Sequence, residues 1–289
     1  MSGAALSESP AAAADRALAR AAVAALREEL TAYPKPGLVS PVDSGAHDDM
    51  DFDLMCRSAD SLLEPFAALA AAGRAAQGFE TALLPLGIAA ERRMLAATGG
   101  VNTHRGAIFS MGLIVAAIGR TESAGLAPSP AAVRATLLRE WGAALDGHAA
   151  RGAAAQSHGA DVQRRTGHGG ARLEAARGFP GLFELALPAY REALRQGLDR
   201  NAAAIQTLFA LMASVDDSTV LYRGGLDGHG FVRAASGAFL AAGGCFRTGW
   251  QTEAERLHRA FVTRRLSAGG CADLLACAVL LDRSCRPGE

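Results

Sequence analysis

"IQTLFALMASVD", residues 205–216, decides the fold class. Ile205, Leu208, Phe209 and Met212 recur at the three-and-four spacing of a helix face, and Asp216 falls on the same stripe. A carboxylate is therefore expected to end an apolar helix. Working outward, 51–63 repeats the pattern from its other end: Asp51, Met55, Ser58 or Ala59, and Leu62 share a face before Pro65, which restarts or kinks the helix. The same periodicity predicts helices over 15–31, 79–97, 105–119, 130–149, 181–197, 252–266 and 270–282. Alternating β-branched runs are nearly absent, so the chain reads as all-α. The expected architecture is a single-domain multi-helix bundle over 15–285, behind a flexible N-terminal tail at 1–14. Glycine-rich polar breaks separate the helices at 33–47, 98–104, 120–129, 157–180, 217–230 and 242–250. Of these, 157–170 and 223–230 are expected to move over a substrate.

Composition removes several function classes. The 29 cations balance the 29 anions, so no global field draws nucleic acid or an anionic membrane, and any anion site must be local. The longest apolar run, around 107–119, is too short to span a bilayer, and the first residues show no basic segment ahead of an apolar one. A cytoplasmic location is the expectation, and Cys56, Cys245, Cys271, Cys277 and Cys285 read as reduced structural thiols. No GxxxxGK[ST], HExxH, CxxC or strand-borne GxGxxG is present, which sets aside a P-loop, zinc and a dinucleotide fold.

What remains is chemistry placed in the breaks. In "YPKPGLVSPVDSGAHDDMDFD", residues 33–53, Pro34 and Pro36 bracket Lys35, the one lysine among cations that are otherwise arginine. The ordinary reading is a solvated loop lysine, but in this chain a surface cation would be arginine. An ammonium on a stiff loop suits phosphate. Asp48, Asp49, Asp51 and Asp53 crowd the start of the next helix. They are ordinarily caps and dipole partners, yet pairs at three- and four-residue spacing also suit Mg²⁺. "GGVNTHRGAIFSMG" places Asn102, Thr103, His104 and Arg105 before an apolar helix, either as caps or as an anion site. Arg172 and Glu174 lie close together, Asp217 is followed by Arg223, and Gly269 and Gly270 open a helix carrying Asp273, whose ordinary role is capping. Glycine-lined helix starts, inward acids and isolated cations are what a polyphosphate with Mg²⁺ requires.

Six segments in this order, "PKPGLV", "SGAHDDMD", "GVNTHRGAIFS", "GARLEAARGFP", "VLYRGG" and "GGCADLLA", make the chain resemble the triphosphoribosyl-dephospho-CoA synthase family over nearly its whole length. The resemblance implies a helical, Mg²⁺-dependent enzyme that joins ATP to 3′-dephospho-CoA with release of adenine. The product precedes the prosthetic group of the malonate decarboxylase or citrate lyase acyl-carrier subunit and passes to a prosthetic-group transferase; a homodimer is compatible with this. Position by position it implies Lys35 as loop cation, Asp49 and Asp51 as the family's acids, the Asn102, Thr103 and His104 segment, and Arg172 paired with Glu174. On the residues themselves Asp49 and Asp51 are expected to hold Mg²⁺, and Lys35, Asn102, Thr103, His104, Arg105, Arg172, Arg223, Gly269 and Gly270 to bind substrate. Glu174 or Asp217 would be the base, with Asp51 also in the catalytic set. The chain departs from the family pattern at Leu173, Arg105 and Thr219. Readings from other classes are a phosphoryl transferase or ATPase, an ADP-ribosyl-type hydrolase, and a carrier-protein binding module without catalysis.

Overall fold

The structure, a computed structural model, describes residues 9–152, 162 and 169–285. Helix α1 spans Pro10–Thr31, capped by Ser9, whose side chain accepts from Ala12 N at 3.2 Å, with Pro10 in the first turn. It begins five residues earlier than the expected 15, so residues 10–14 are helix rather than tail. Then come α2 (Phe52–Ser61), α3 (Leu63–Arg74), a π-turn at Phe79–Leu83, α4 (Leu84–Ala97), α5 (Arg105–Ser123) and α6 (Pro130–Gly152). After them lie α7 (Gly170–Ala176), a second π-turn at Gly181–Ala186, α8 (Leu187–Arg195), α9 (Arg200–Ser214), α10 (Ser218–Ala241), α11 (Trp250–Thr263) and α12 (Gly269–Ser284). No strand occurs among the described residues, and the fold is all-α.

The core is built on α5 and α12. Almost every residue of α5 from Ala107 to Thr121, and of α12 from Cys271 to Leu281, is buried, so each is apolar around most of its circumference. They pack against each other, and α1 and α3 cover them. Contact between α3 and α5 is backbone to backbone: a Cβ at Gly73 would lie 2.1 Å from Ala116 O, and one at Gly119 would lie 2.6 Å from Ala70 O. Glycine at both positions is what lets the helices approach so closely.

The stripe at 205–212 does form the buried face of α9, but the helix ends at Ser214. Val215 is extended, so Asp216 leaves the stripe and turns to solvent, pairing with Arg233 at 3.2 Å. The buried carboxylate is Asp217. The break expected over 217–230 is also helical: α10 runs through it, interrupted only at Gly225 with φ 62° and ψ −160°. Of the other segment expected to move, 157–170, residues 157–161 and 163–168 lie outside the described residues.

Candidate active site

A cleft of about 800 Å³ opens where α5, α7, α10 and α12 begin, walled by the end of α1, part of α4 and the loop over 35–50. Its size is that of a small-molecule site. The residues ahead of α5 and α12, His104 and Ala268, make no side-chain cap, although Asp217 reaches into the first turn of α12 at Cys271 N. Helix starts present backbone N–H groups and the positive end of the helix dipole, which suits an anion.

Among the carboxyls lining the cleft, Asp217, Glu174 and Asp273 have different attachments. Asp217 is buried; its Oδ1 accepts from Thr219 N at 2.7 Å and Val220 N at 3.1 Å, and its Oδ2 accepts from Cys271 N at 2.8 Å. Burial pushes its pKa up while those three amides hold it down. It therefore caps α10 and ties it to α12, and both oxygens are occupied, which argues against the expected role as base. Glu174, half-buried on α7, uses one oxygen to accept from Gly181 N at 3.0 Å. Burial raises its pKa, against the pull of that amide. Asp273 lies on α12 beside the start of α5: a Cβ at Gly106 would stand 2.1 Å from its Oδ2. The sequence presents it as a cap, but among the described residues the first-turn amide bonded by a side chain, Cys271 N, is taken by Asp217.

The cations are less free than the sequence suggests. Lys35 is 1% exposed, and its Nζ donates to Glu29 Oε1 and Glu29 O, both at 2.6 Å, on the cleft floor. Burial lowers the Lys35 pKa, and Glu29 works the other way. This is a buried ion pair rather than a loop lysine in solvent. The loop around it is held from α11, with His258 Nδ1 2.8 Å from Lys35 O and Nε2 3.1 Å from Asp43 Oδ2. Gly37 has φ 68°, and a Cβ there would strike Leu266 O at 2.0 Å, so the turn demands glycine. Arg223 donates to Arg265 O at 2.7 Å and to Ala46 O, pinning the cleft wall to α10. Arg105 is half in solvent and donates from Nε to Glu91 Oε2 at 3.0 Å. Arg172, Asn102, Gly269 and Gly270 all line the cleft; the departure at Leu173 sits inside regular α7, and Thr219 stands beside Gly269.

His104 is buried, with Nδ1 2.7 Å from Ser58 Oγ, which is itself 2.6 Å from Thr103 Oγ1. Its Nε2 has no hydrogen-bond partner among the described residues. Burial, with the charge of Lys35 adding to it, lowers its pKa to about 4, so the ring is neutral at neutral pH. A histidine depressed in the fold binds fewer protons than in the unfolded chain as pH falls below its ordinary value. Stability it contributes is thus complete above that value and is lost down to the folded pKa. The stability gap between wild type and His104→Gln, read by urea unfolding, is expected to shrink by about 3 kcal/mol from about pH 7 to about pH 4. A gap independent of pH would show that the imidazole is not buried in this way.

The aspartates before α2 divide. Asp51 is the N-cap of α2, its Oδ1 accepting from Leu54 N at 2.8 Å, and it is outside the cleft lining; Asp49 is in it, 3.7 Å from His47 Nδ1 and otherwise open to solvent. Asp48 pairs with Arg265 at 3.4 Å. The expected Asp49–Asp51 metal pair is therefore not assembled, because cap geometry turns Asp51 onto the backbone. Among the described residues no group of three His, Cys, Asp or Glu side chains is gathered to hold a metal. A Mg²⁺ ion carried on a triphosphate needs only one or two protein carboxylates, and for that Asp49 fits.

Comparison with known proteins adds the following. The family model for ATP:dephospho-CoA triphosphoribosyl transferase matches residues 15–288. A probable 2-(5''-triphosphoribosyl)-3'-dephosphocoenzyme-A synthase of Stutzerimonas stutzeri (strain A1501) is 43% identical over 270 residues, covering 92% of this chain and 91% of the relative. Another such probable synthase, of Azotobacter vinelandii (strain DJ / ATCC BAA-1303), is 41% identical over 266 residues, covering 91% and 89%. The 2-(5''-triphosphoribosyl)-3'-dephosphocoenzyme-A synthase of Klebsiella pneumoniae is 39% identical over 269 residues, covering 92% and 94%. No solved structure matches.

Proposed function

Because the chain belongs to the ATP:dephospho-CoA triphosphoribosyl transferase family, we propose that its cleft holds ATP and 3′-dephospho-CoA together and joins them at the ribose of ATP. The reaction forms 2′-(5″-triphosphoribosyl)-3′-dephospho-CoA and releases adenine. The observation that carries this reading is the meeting of the starts of α5 and α12, neither capped by the residue ahead of it, with half-buried and buried carboxyls in one cleft. The first suits a polyphosphate, and the second suits proton transfer at a sugar carbon.

The anomeric carbon of ATP's ribose passes through an oxocarbenium-like transition state, as in glycoside cleavage. Glu174, with one oxygen fixed by Gly181 N, is the base that takes the proton of the attacking 2′-hydroxyl. The starts of α5 and α12 bind the triphosphate, which is kept whole. Lys35 has two of its three N–H donors on Glu29 and offers the third. Asn102, Thr103 and Arg105 line the same cleft, as does Arg172 on the helix that carries the base. Mg²⁺, brought by the nucleotide and met by Asp49, would neutralise phosphate charge.

Asp49→Asn is expected to raise the Mg²⁺ needed for half-maximal turnover and to cut turnover about tenfold or more. Asp51→Ala should instead cost about 1 kcal/mol of stability as a lost cap, with turnover nearly unchanged. The reverse pattern would return the metal role to Asp51.

We further assign the product to the carrier subunit of malonate decarboxylase rather than citrate lyase, after passage through a prosthetic-group transferase. The support is the alanine- and arginine-rich composition, the mark of a GC-rich coding sequence, and the test is which purified carrier subunit accepts the group. The activity itself is tested by chromatography of the protein with ATP, Mg²⁺ and 3′-dephospho-CoA. Free adenine should appear with all components and vanish when dephospho-CoA is withheld; adenine formed regardless of dephospho-CoA would contradict transfer.

A further inference from the structure

Release of adenine needs a proton as well as a base, and the assignments above supply no donor for it. Asp217 is unsuited, since three backbone amides already occupy its two oxygens. Glu174 is needed on the opposite side of the exchange. Asp273 is different from both. It lines the cleft one turn into α12, and among the described residues no hydrogen bond or ion pair reaches its carboxyl. Its position depends on Gly106: a Cβ there would stand 2.1 Å from Oδ2 and 3.2 Å from Cγ, so only glycine lets the carboxyl lie against the start of α5.

The surroundings favour the neutral form. Burial is the main cause raising the Asp273 pKa well above the ordinary carboxyl range, and the neighbouring carboxylates Asp217 and Glu29 add to it. A carboxyl whose surroundings favour its neutral form, placed in a cleft beside the helix starts that suit a triphosphate, is suited to donate a proton.

We propose that Asp273 is the general acid of the transfer, an assignment that rests on the triphosphoribosyl-transfer reading above. The 2′-hydroxyl oxygen of dephospho-CoA forms the bond to the anomeric carbon and gives its proton to Glu174. The electron pair of the breaking carbon–nitrogen bond leaves with adenine, and a ring nitrogen of adenine takes the proton of Asp273. One proton passes in net from hydroxyl to adenine, and proton exchange with water restores both carboxyls. No oxidant or further reactant is required.

The test compares ATP with N7-methyl-ATP, whose base already carries a positive charge and departs without being protonated. Asp273→Asn is expected to lose about 100-fold in adenine release from ATP, but less than about tenfold in base release from the methylated nucleotide. Equal losses on both substrates would reduce Asp273 to a structural or binding role, and full activity on ATP would remove it from the reaction; either overturns the assignment. Should Asp273→Asn lose the helical circular-dichroism signal, Gly106→Ala is read in the same way, because its new methyl displaces the carboxyl. A wild-type protein that releases no adenine overturns the transfer reading and this assignment with it. An active wild type beside an indifferent Asp273→Asn overturns the assignment alone.

Discussion

Glu174→Gln is expected to lower the turnover number about 10²- to 10⁴-fold while leaving nucleotide binding and helix content close to wild type. The amide is nearly the same shape as the carboxylate, and its oxygen can still accept from Gly181 N, so the start of the second π-turn stays in place. What the variant lacks is a group able to take the 2′-hydroxyl proton. Because burial raises the Glu174 pKa, its carboxylate is a stronger base than an exposed glutamate. The measurement is single-turnover adenine release beside equilibrium binding of ATP. A variant that binds and turns over like wild type would remove Glu174 from the chemistry, whereas one that loses binding in proportion to turnover would make it a substrate contact.

The second large effect is on stability. Lys35→Met should lower the unfolding free energy by about 3–5 kcal/mol, since it leaves the Glu29 carboxylate buried without its counter-charge. That is a large share of the roughly 5–15 kcal/mol that holds a domain together. Glu29→Gln combined with Lys35→Met should recover much of the loss, because no unpaired charge then remains inside. Adenine release should stay low in the double variant, for the ammonium proposed to meet the triphosphate is still missing. Urea unfolding of the single and double variants separates the two effects. A single variant within about 1 kcal/mol of wild type would mean that the pair is solvated.

These residues also show what a sequence discloses and what it withholds. The helical stripe at 205–212 was legible because apolar residues recur at three- and four-residue spacing, and the same holds for α2, whose end before Pro65 was expected and whose last residue is Ser61. The fate of Asp216 was not, because periodicity does not say where the chain leaves the helix; one extended residue at Val215 exchanges Asp216 for Asp217 as the buried acid. Glycine content misled over 217–230. Gly224 and Gly228 sit where Leu266 packs against the helix, a Cβ at either meeting Leu266 Cδ2 at 2.4 Å and 2.8 Å, so they serve close packing rather than a break.

Residue type marked out segments that line the cleft, but not what holds each side chain there. Composition made Lys35 unusual, but only the fold shows Glu29, one helix earlier, reaching its ammonium. Arg223 looked like a ligand cation and is a clamp on two carbonyls, a use that depends on loop backbone no spacing rule can place. Asp273 looked like a cap; the sign that it was something else is Gly106, some 170 residues away in sequence and in contact with it only after folding.

The central claim is that the chain breaks ATP at the ribose and keeps its triphosphate whole. The direct measurement is incubation of the protein with 3′-dephospho-CoA, Mg²⁺ and ATP labelled at its γ-phosphorus, followed by separation of the products. The label should travel with the coenzyme product, whose mass increases by one triphosphoribosyl group, in equal amount to free adenine. Label recovered in inorganic phosphate, or on a product formed together with ADP, would mean that the cleft cleaves phosphate and would contradict the account.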